Sequence, residues 1–439
     1  MLLRYGTENH LSLCDYQEVI CLAASGLKDD NVDLLRYTTS RGGEKDVLPV
    51  IAMYGANAAG KSNMIDALRF LFYAAADSYD RWRQRKTPPH QYCKVDAQGN
   101  RRASVYDCDV IINSEHYQYG FSITDEGIEK EWLHAYTAGP KKVIFERDFS
   151  DGNKREDPVY FGPSMGRRDK TLKNLADSRK YLFLSAARSV RHEKLSPITE
   201  FFDRQFALIS GNENMPDGII ADDLSAPDVK SKVETILGKA DFGISGIQIT
   251  SKKIDDKQRD FQKKIALLLK DLTGESETLS FPDEEKVLAF IHRKSDGGTF
   301  KIGRSQESSG TIHLLFLLAP IISALKYGRL VVLDEITTSL HTNLSREIVR
   351  LFSNKESNPK NAQLIFSTHD TNLLSCGALR RDSIWFAEKD RDGKTCIYPL
   401  TDFKVRKGEN IEKGYLQGRF GAIPFIGDIQ EMFSEGMYR

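Results

Sequence analysis

Short apolar runs followed by turn or polar residues form the main pattern of this chain. Residues 49–54 are an apolar run of the length expected for a strand buried on both faces. After a glycine-rich turn, apolar side chains recur at helical spacing, at Met64, Ile65, Leu68, Leu71 and Phe72. The pattern therefore predicts a strand, a tight turn and a helix in direct succession.

Three further apolar runs in the second half of the chain predict two strands and a core helix. The four consecutive apolar residues 330–333 and the run that begins at Gln363 are typical of buried parallel strands. Residues 312–325 are strongly apolar and long enough for a helix. The run from Gln363 ends in Ser367, Thr368 and His369, and ligands of open α/β sheets bind at this carboxyl end of the strands.

Patterning and composition divide the chain into four parts. Residues 1–148 are predicted as a first lobe, with the alternation of β-strands between residues 104 and 123. Residues 149–306 are predicted as a largely helical insertion. Residues 307–389 are predicted as a second lobe. Residues 390–439 form a tail rich in glycine and aromatic residues, which packs on the core or docks a partner.

The insertion shows helical runs at residues 172–189, 197–209 and 251–272. None of them continues into a long heptad array, which argues against an extended coiled-coil arm. In the tail, the candidate aromatic anchors for a docked partner are Tyr415, Phe420 and Phe425.

Composition indicates a globular protein whose net charge does not attract nucleic acid as a whole. The 439 residues are 40% hydrophobic and 28% charged, enough for two or three packed units, and the formal net charge is zero. Local basic runs occur at residues 81–86, 101–102 and 167–168. Each of these runs is either a solvated face or a contact for nucleic acid.

Cysteine spacing and hydropathy predict a cytoplasmic protein. The six cysteines contain no CxxC pair, which argues against a zinc site or a disulfide framework and suits a reducing compartment. Arg4 and Glu8 interrupt the N-terminus, so no signal-peptide core is evident. The longest apolar stretch, residues 314–325, is too short to span a bilayer and contains Pro320. We therefore expect no membrane segment.

The turn after the first predicted strand reads GANAAGKS and fits the phosphate-loop pattern GxxxxGK[ST]. Gly55 and Gly60 would let backbone N–H groups converge on phosphate oxygens at the start of a helix. Lys61 would reach the β- and γ-phosphates, and the Ser62 hydroxyl would bind Mg²⁺. The alternative is a chance glycine turn, which the strand and helix on either side disfavour.

A second site is predicted where residues 330–333 end in Asp334 and Glu335. Asp334 would hold Mg²⁺ through water, and Glu335 would orient or deprotonate the attacking water. His369 would sense the γ-phosphate, although a lone histidine is more often structural. About 270 residues separate this carboxylate pair from the phosphate loop, so a large segment is inserted within the nucleotide-binding core.

The segment before the second site, ESSGT, places small hydroxyl residues and a glycine at the start of the predicted core helix. Ser308 and Gly310 there would form an anion site that faces a second subunit. An ordinary helix cap is the alternative.

With these motifs the chain resembles the ABC-type ATPases of the SMC/Rad50/RecF and OLD-like branch. It is more closely similar to the bacterial AAA-family ATP-binding proteins of the abortive-infection type (AbiL/RloA-like, AAA_15/AAA_21). The similarity is carried by LLRYGTENHLSL, GANAAGKS, EHYQYGFSI, EWLHAYTAGPKKVIFERD, ESSGT, LVVLDEITTSLHT, NPKNAQLIFSTHDTNLL and ENIEKGYLQGRFGAIPFI, and it covers most of the chain.

The resemblance implies an α/β fold of the ABC-type ATPase head: a P-loop NTPase with a mixed sheet, a β-rich first lobe and a helical insertion. It implies ATP and Mg²⁺ as cofactors, with Glu335 and His369 catalytic and with Ser62 and Asp334 at the metal. The stretch Ser339, Leu340 and His341 resembles the D-loop. The residues that the resemblance implies for nucleotide binding are Gly55, Asn57, Gly60, Lys61, Ser62, Asn63, Ser308 and Gly310.

Three departures from the family pattern are visible. The stretch SSGT keeps only the serine and second glycine positions of the transporter signature LSGGQ, and Ala58 stands where related phosphate loops carry glycine. Gln91 is the nearest candidate for a Q-loop residue, and it is equally compatible with a solvated loop position.

The resemblance also implies partners. We expect a homodimer or a higher homo-oligomer that regulates a separate effector (Toprim/RloB-like or another nuclease) in anti-phage defence, with DNA or a phage-derived molecule as a candidate trigger. The alternatives are a RecF/Rad50-like repair ATPase and an OLD-like nuclease. Only 70 residues follow His369, so we expect the nuclease to be a separate protein.

Overall fold

The structure is a computed structural model of the full chain. It describes residues 1–29, 31–38, 42–136, 140–152, 155–165, 170–210, 216–239, 243–254, 259–260, 264, 284–336 and 342–424.

The centre of the fold is a predominantly parallel sheet. Within the described residues it has six strands, numbered in chain order and lying in the spatial order β11 (Phe206–Ser210), β15 (Leu330–Asp334), β16 (Gln363–Ser367), β5 (Val50–Tyr54), β17 (Ile384–Lys389) and β18 (Thr395–Pro399). Neighbouring strands are parallel from β11 to β17, and β18 is antiparallel to β17. The carboxyl ends of β5, β15 and β16 therefore meet at one edge, as the sequence predicts.

The first lobe is an antiparallel sheet. In the described chain it comprises, in spatial order, β10 (Val159–Phe161), β9 (Lys142–Asp148), β8 (Gly127–Tyr136), β7 (Glu115–Thr124), β6 (Ser104–Ile112), β1 (Leu2–Glu8) and β2 (Gln17–Ile20). A separate hairpin pairs β3 (Leu35–Thr38) with β4 (Glu44–Val47). The β-rich character predicted for this lobe is confirmed.

Helix α1 (Lys61–Trp82) joins the two sheets through one hydrophobic core. Phe70 packs on Tyr106 of the first lobe with ring centroids 4.8 Å apart. Phe72 stacks on Phe206 of the central sheet, also at 4.8 Å. Full burial of such a side chain contributes about 1.5–3 kcal/mol. The helix that starts at the glycine-rich turn is therefore held from both sides.

The described residues of the segment 149–306 form both helices and strands, whereas the prediction was a largely helical insertion. Helices α2 (Lys170–Ala176), α3 (Phe183–Ala187), α4 (Ser196–Arg204), α5 (Asp217–Asp223) and α6 (Pro227–Lys239) are present among the described residues. An antiparallel sheet of β12 (Ile244–Lys253), β13 (Glu284–Arg293) and β14 (Thr299–Gly303) accompanies them. The strands β12–β14 make this segment a mixed α/β unit.

The helical run predicted over residues 197–209 divides into two elements. Helix α4 ends at Arg204, and the next residues become β11, which pairs in parallel with β15 at an edge of the central sheet. A short apolar run such as FALIS fits a buried strand as well as a helix, so periodicity alone assigned it wrongly. Of the run over residues 251–272, the first three residues belong to β12, and most of the rest lies outside the described residues.

Helix α7 (Ser309–Tyr327) is the predicted core helix. An apolar window of this 19-residue helix has a mean hydropathy of 1.5, so by length and composition the helix is long enough to cross a membrane, in contrast to the prediction from residues 314–325. However, 78% of its apolar window is buried within the fold. Leu314, Leu318 and Ile321 pack in the same core as the apolar side chains of α6. The helix therefore lies within the hydrophobic core of the protein.

Two further α-helices among the described residues are α8 (Thr342–Ser353) and α9 (Ile411–Leu416). Two of the tail aromatics expected to anchor a partner are buried in the fold instead. Tyr415 packs on Tyr54 and Phe386, and Phe420 stacks on Phe386 at 5.9 Å. The docking interpretation is therefore wrong for these two side chains, because the core already encloses them, and Phe425 lies outside the described residues.

Two of the six cysteines are paired. Cys14, before β2, forms a disulfide with Cys93, and their Cα atoms are 5.2 Å apart. The expectation of unpaired thiols is wrong for this pair because the fold brings together residues separated by 79 positions. Spacing along the sequence carries no signal for such a contact. Among the described residues, Cys21, Cys108, Cys376 and Cys396 are free.

Candidate nucleotide site

The phosphate loop connects β5 to α1 and depends on two glycines. Gly55 has φ +153°, and a Cβ at this position would overlap the carbonyl oxygen of Ala387. Gly60 has φ +108° at the N-cap of α1. Both positions therefore exclude a larger side chain. Ala58 also has a left-handed backbone, with φ +61°, at the position where related loops carry glycine.

Lys61 is buried and is turned back onto its own loop. Its Nζ donates to the carbonyl oxygens of Gly55 at 2.9 Å and Ala56 at 3.0 Å. Burial lowers the pKa of Lys61, while the negative charges of Glu335 and Asp334 oppose this effect. The lysine thus lies in the field of both carboxylates that the sequence assigns to the second site.

Ser367 holds the backbone and the carboxylate of the second site together. Its Oγ donates to Oδ1 of Asp334 at 2.6 Å and accepts the backbone N–H of Glu335 at 2.7 Å. Glu335 has φ +61°, a conformation that is costly for a non-glycine residue and recurs at functional sites. The Glu335 side chain is 50% exposed, so its carboxylate remains accessible to a ligand.

His369 follows β16 and lies between the lysine and the glutamate. Its Nε2 is 3.2 Å from Nζ of Lys61 and 3.9 Å from Oε1 of Glu335. Burial lowers the pKa of His369 below 6.5, and the positive charge of Lys61 adds to this effect. Beside an ammonium group, a neutral imidazole accepts through Nε2 and carries its proton on Nδ1.

The donor set at this edge fits Mg²⁺. The exposed Ser62 residue is the second residue of α1, and Asp334 ends β15 with one carboxylate oxygen already held by Ser367. Hydroxyl and carboxylate oxygens are the hard ligands that Mg²⁺ prefers, usually together with water and substrate phosphate. Ser62 and Asp334 are therefore the residues that would hold the metal.

The two asparagines predicted to bind nucleotide have different surroundings. Asn57 lies exposed at the tip of the loop. The side chain of Asn63 points away to the β1–β2 connection, where its Nδ2 donates to Oγ of Ser12 at 2.6 Å. The backbone oxygen of Gln91 accepts the N–H of Leu11 in the same connection at 3.1 Å. Gln91 thus lies beside this connection, and its role as a Q-loop residue stays a prediction.

Ser308 is the N-cap of α7, and its Oγ accepts the N–H of Thr311 at 3.1 Å. Ser308 and Ser309 are exposed, and a Cβ on Gly310 would meet open space. In the described part of the chain, the hydrogen bonds of Ser308 stay within its own segment, and none reaches the phosphate loop. None of these hydrogen bonds joins Ser308 to Lys61. The predicted D-loop residues lie outside the described residues.

The structure thus brings Lys61, Asp334, Glu335 and His369 together, and their roles toward nucleotide stay predictions. Sequence reasoning missed two residues beside the loop, Ser12 and Thr395. No motif contains them, and only the fold places them next to each other, 383 positions apart.

The sequence matches the family described as "AAA domain, putative AbiEii toxin, Type IV TA system" over residues 50–375. The chain belongs to this family. The matched range begins at β5 and ends after His369, so it contains the phosphate loop, ESSGT, the carboxylate pair and the histidine. Membership in this AAA-domain family confirms the predicted relationship to the AAA-type ATPases.

Two solved structures are similar to this AAA-domain protein at low sequence identity. The SMC head domain from Thermotoga maritima has 14% identity and a TM-score of 0.40, covering 92% of this chain and 99% of that chain. The SmcHead bound to the C-winged helix domain of ScpA has 12% identity and a TM-score of 0.40, covering 91% and 98%. No curated protein matches the chain.

The strand order and the phosphate loop of the protein itself are those of a P-loop NTPase with a mixed sheet. The predicted fold class is therefore confirmed.

Proposed function

We propose that this protein binds ATP with Mg²⁺ at the phosphate loop, hydrolyses it, and uses the nucleotide to assemble with a second copy of itself. The observation that carries the proposal is the convergence of Lys61, Glu335 and His369, three groups with complementary roles in phosphoryl transfer. They come from three separate parts of the chain, and adjacent parallel strands of one sheet bring them to a common edge.

The proposed chemistry assigns one task to each side chain. Lys61 leaves the carbonyl oxygens of Gly55 and Ala56 and binds the β- and γ-phosphates. Glu335, half exposed and fixed at its backbone by Ser367, orients and deprotonates the attacking water. His369, whose pKa is lowered by burial and by Lys61, donates an N–H hydrogen bond to the transferred phosphoryl group. Mg²⁺, held by Ser62 and Asp334, supplies charge neutralisation of the phosphates.

Assembly around ATP follows from the position of ESSGT. The start of α7 is exposed, and the first N–H groups of a helix have no acceptor within the helix. Such a helix start attracts anions. We infer that Ser308 and Gly310 bind the phosphate held by Lys61 of a second copy, since the described hydrogen bonds of Ser308 leave the exposed helix start facing outward from its own segment.

Mixing two inactive variants tests the shared site. Ser308→Arg blocks the helix start, and Lys61→Ala removes the phosphate-binding lysine. Each variant alone should be inactive, and a mixture should regain part of the ATPase activity because one site of the mixed dimer is intact. Native mass spectrometry provides the control that mixed dimers form. Mixed dimers without any recovered activity would show that ESSGT is only a helix cap.

We further propose that the nucleotide state controls a separate effector protein in anti-phage defence. The family description, which refers to an AbiEii toxin and a type IV toxin–antitoxin system, supports this role. The ATPase would act in the cytoplasm. The trigger that it detects would be DNA or a phage-derived molecule. The effector would be a Toprim-type or other nuclease encoded separately.

The purified chain should hydrolyse ATP and leave DNA and RNA intact with Mg²⁺ or Mn²⁺. Co-purification from the native host, followed by mass spectrometry, should identify a partner that becomes toxic or nucleolytic in an ATP-dependent manner. Metal-dependent nicking by the chain alone, persisting in Lys61→Ala, would instead establish a self-contained nuclease. Salt-sensitive DNA binding without a toxic partner would establish a repair ATPase.

A further inference from the structure

The connection between β1 and β2, residues 9–14, lies along the first two turns of α1. Oγ of Ser12 accepts the side-chain N–H of Asn63 at 2.6 Å, and Nε2 of His10 lies 3.2 Å from Oδ2 of Asp66. Asn9 and Leu11 have left-handed backbones, with φ of 56° and 53°, which keeps the connection tight against the helix. A turn of the first lobe is therefore in direct contact with the start of the phosphate-loop helix.

Thr395, the first residue of β18, extends this contact to the loop itself. Its Oγ1 donates to the carbonyl oxygen of Ala59 at 2.9 Å and lies 2.7 Å from Oγ of Ser12. Its backbone N–H donates to the carbonyl oxygen of Ser12 at 2.8 Å. Both hydroxyl residues are buried, with 2% of Thr395 and 6% of Ser12 exposed. Loss of either hydroxyl would leave a buried partner unsatisfied.

The donors in this network have one consistent direction. Because Thr395 gives its proton to the Ala59 carbonyl, it must accept from Ser12, and Ser12 in turn accepts from Asn63. Each hydroxyl thus donates once and accepts once, which is the arrangement that satisfies a buried hydroxyl chain. These hydrogen bonds therefore contact the backbone at Ala59 and the side chain of Asn63, which lie on either side of Lys61.

Packing at Gly60 reinforces the hydrogen bonds. A Cβ at this glycine would overlap the Thr395 side chain, so β18 lies directly against the loop. The phosphate loop before Lys61 is therefore bounded by Thr395 on one side and by the helix start on the other.

We propose that Ser12 and Thr395 are positioning residues for the phosphate loop, which they hold in the shape that binds nucleotide. The ligand named here rests on the proposed function, whereas the positioning of the loop does not require nucleotide. A loop that is in its binding shape for only a fraction of the time binds with an affinity reduced by that fraction. Removing the Thr395 hydroxyl should weaken affinity by about tenfold, since it leaves two buried partners unpaired.

Three variants distinguish the effect of the Thr395 hydroxyl from the effect of its packing. Thr395→Val keeps the shape and loses the hydroxyl, and Thr395→Ser keeps the hydroxyl and loses a methyl group. Thr199→Val is the matched control, because Thr199 is also buried and its Oγ1 also donates to a backbone carbonyl, that of Ser196 at 3.0 Å in α4. Ser12→Ala interrupts the same hydroxyl chain at another point and replaces Thr395→Val if that variant does not fold.

Hydrogen exchange of residues 56–63 in the nucleotide-free protein and calorimetric affinity for a non-hydrolysable ATP analogue test the proposal. Thr395→Val should speed exchange of the loop amides and weaken affinity about tenfold, with Thr395→Ser and Thr199→Val close to wild type. Wild-type exchange and affinity in Thr395→Val, or equal losses in Thr395→Ser, would overturn it. Absence of ATP binding by the wild type would refute the proposed function alone, because the exchange comparison still decides the positioning role.

Discussion

The ammonium group of Lys61 lies 3.2 Å from Nε2 of His369, although the two residues are 308 positions apart in the sequence. The contact exists because β16 lies directly beside β5 in the central sheet, so the residues after both strands share one edge. It also couples their charges: the lysine disfavours protonation of the imidazole, and the imidazole gives the lysine an acceptor. In the absence of nucleotide, Lys61 and His369 are therefore in direct contact at the site.

The coupling predicts how His369 titrates. In the nucleotide-free protein the pKa of His369 should lie below that of an exposed histidine, since burial and the positive charge of Lys61 lower it. Because the unfolded chain binds this proton more readily, the contribution of His369 to stability is present above about pH 6.5 and is lost as pH falls through the folded pKa. NMR titration of labelled histidine, with His369→Asn for assignment, measures the pKa.

Lys61→Ala tests whether the charge of Lys61 lowers the pKa of His369. Without the neighbouring ammonium group, the pKa of His369 should rise toward its ordinary value. A wild-type pKa at or above 6.5, or a pKa indifferent to Lys61→Ala, would contradict the electrostatic coupling.

The backbone of Ala58 predicts an effect on stability. Its φ of +61° costs an L-residue about 1–2 kcal/mol relative to glycine. Ala58→Gly relieves this strain but loosens the unfolded chain by about 0.4–1 kcal/mol, so the net change should be neutral to slightly stabilising. Ala56→Gly, in the same loop without a left-handed backbone, should only destabilise. Thermal unfolding compares the two, and an equal loss in both variants would refute strain at Ala58.

The disulfide predicts a dependence of stability on redox conditions. The Cys14–Cys93 bond closes a loop across 79 positions, and a disulfide of this span typically contributes about 2–4 kcal/mol. Cys14→Ser should lose that amount in denaturant unfolding, and added reductant should bring the wild type to the same midpoint. Cys396→Ser, which removes an exposed free thiol, is the control and should leave the midpoint unchanged. A wild type that is indifferent to reductant would contradict the pairing.

Much of the core sheet was predictable from sequence because its strands are short apolar runs that end in polar residues. The runs before Gly55, Asp334 and His369 are such cases, and the structure confirms all three as parallel neighbours. Motif spacing then identified the residues that the fold brings together. The strand β11 was missed, since five apolar residues directly after a helix carry no period of their own.

Contacts between distant segments were not predictable. Ser12 and Thr395 are ordinary hydroxyl residues in the sequence, and Cys14 and Cys93 have no special spacing. Only the antiparallel addition of β18 to β17 and the turn after β1 place Ser12 and Thr395 beside the phosphate loop. Likewise, Tyr415 and Phe420 looked available for a partner until the fold enclosed them.

Glu335 is proposed as the base that hydrolyses ATP at this site, and phosphate release by purified Glu335→Gln measures its contribution. The variant should still bind ATP, while Lys61→Ala should lose affinity in calorimetry because its charge acts on the bound phosphates. A positioned base contributes roughly 10²–10⁴-fold, so turnover by Glu335→Gln should fall at least ~100-fold, with an ATP-bound dimer accumulating. Undiminished turnover in Glu335→Gln would contradict the account.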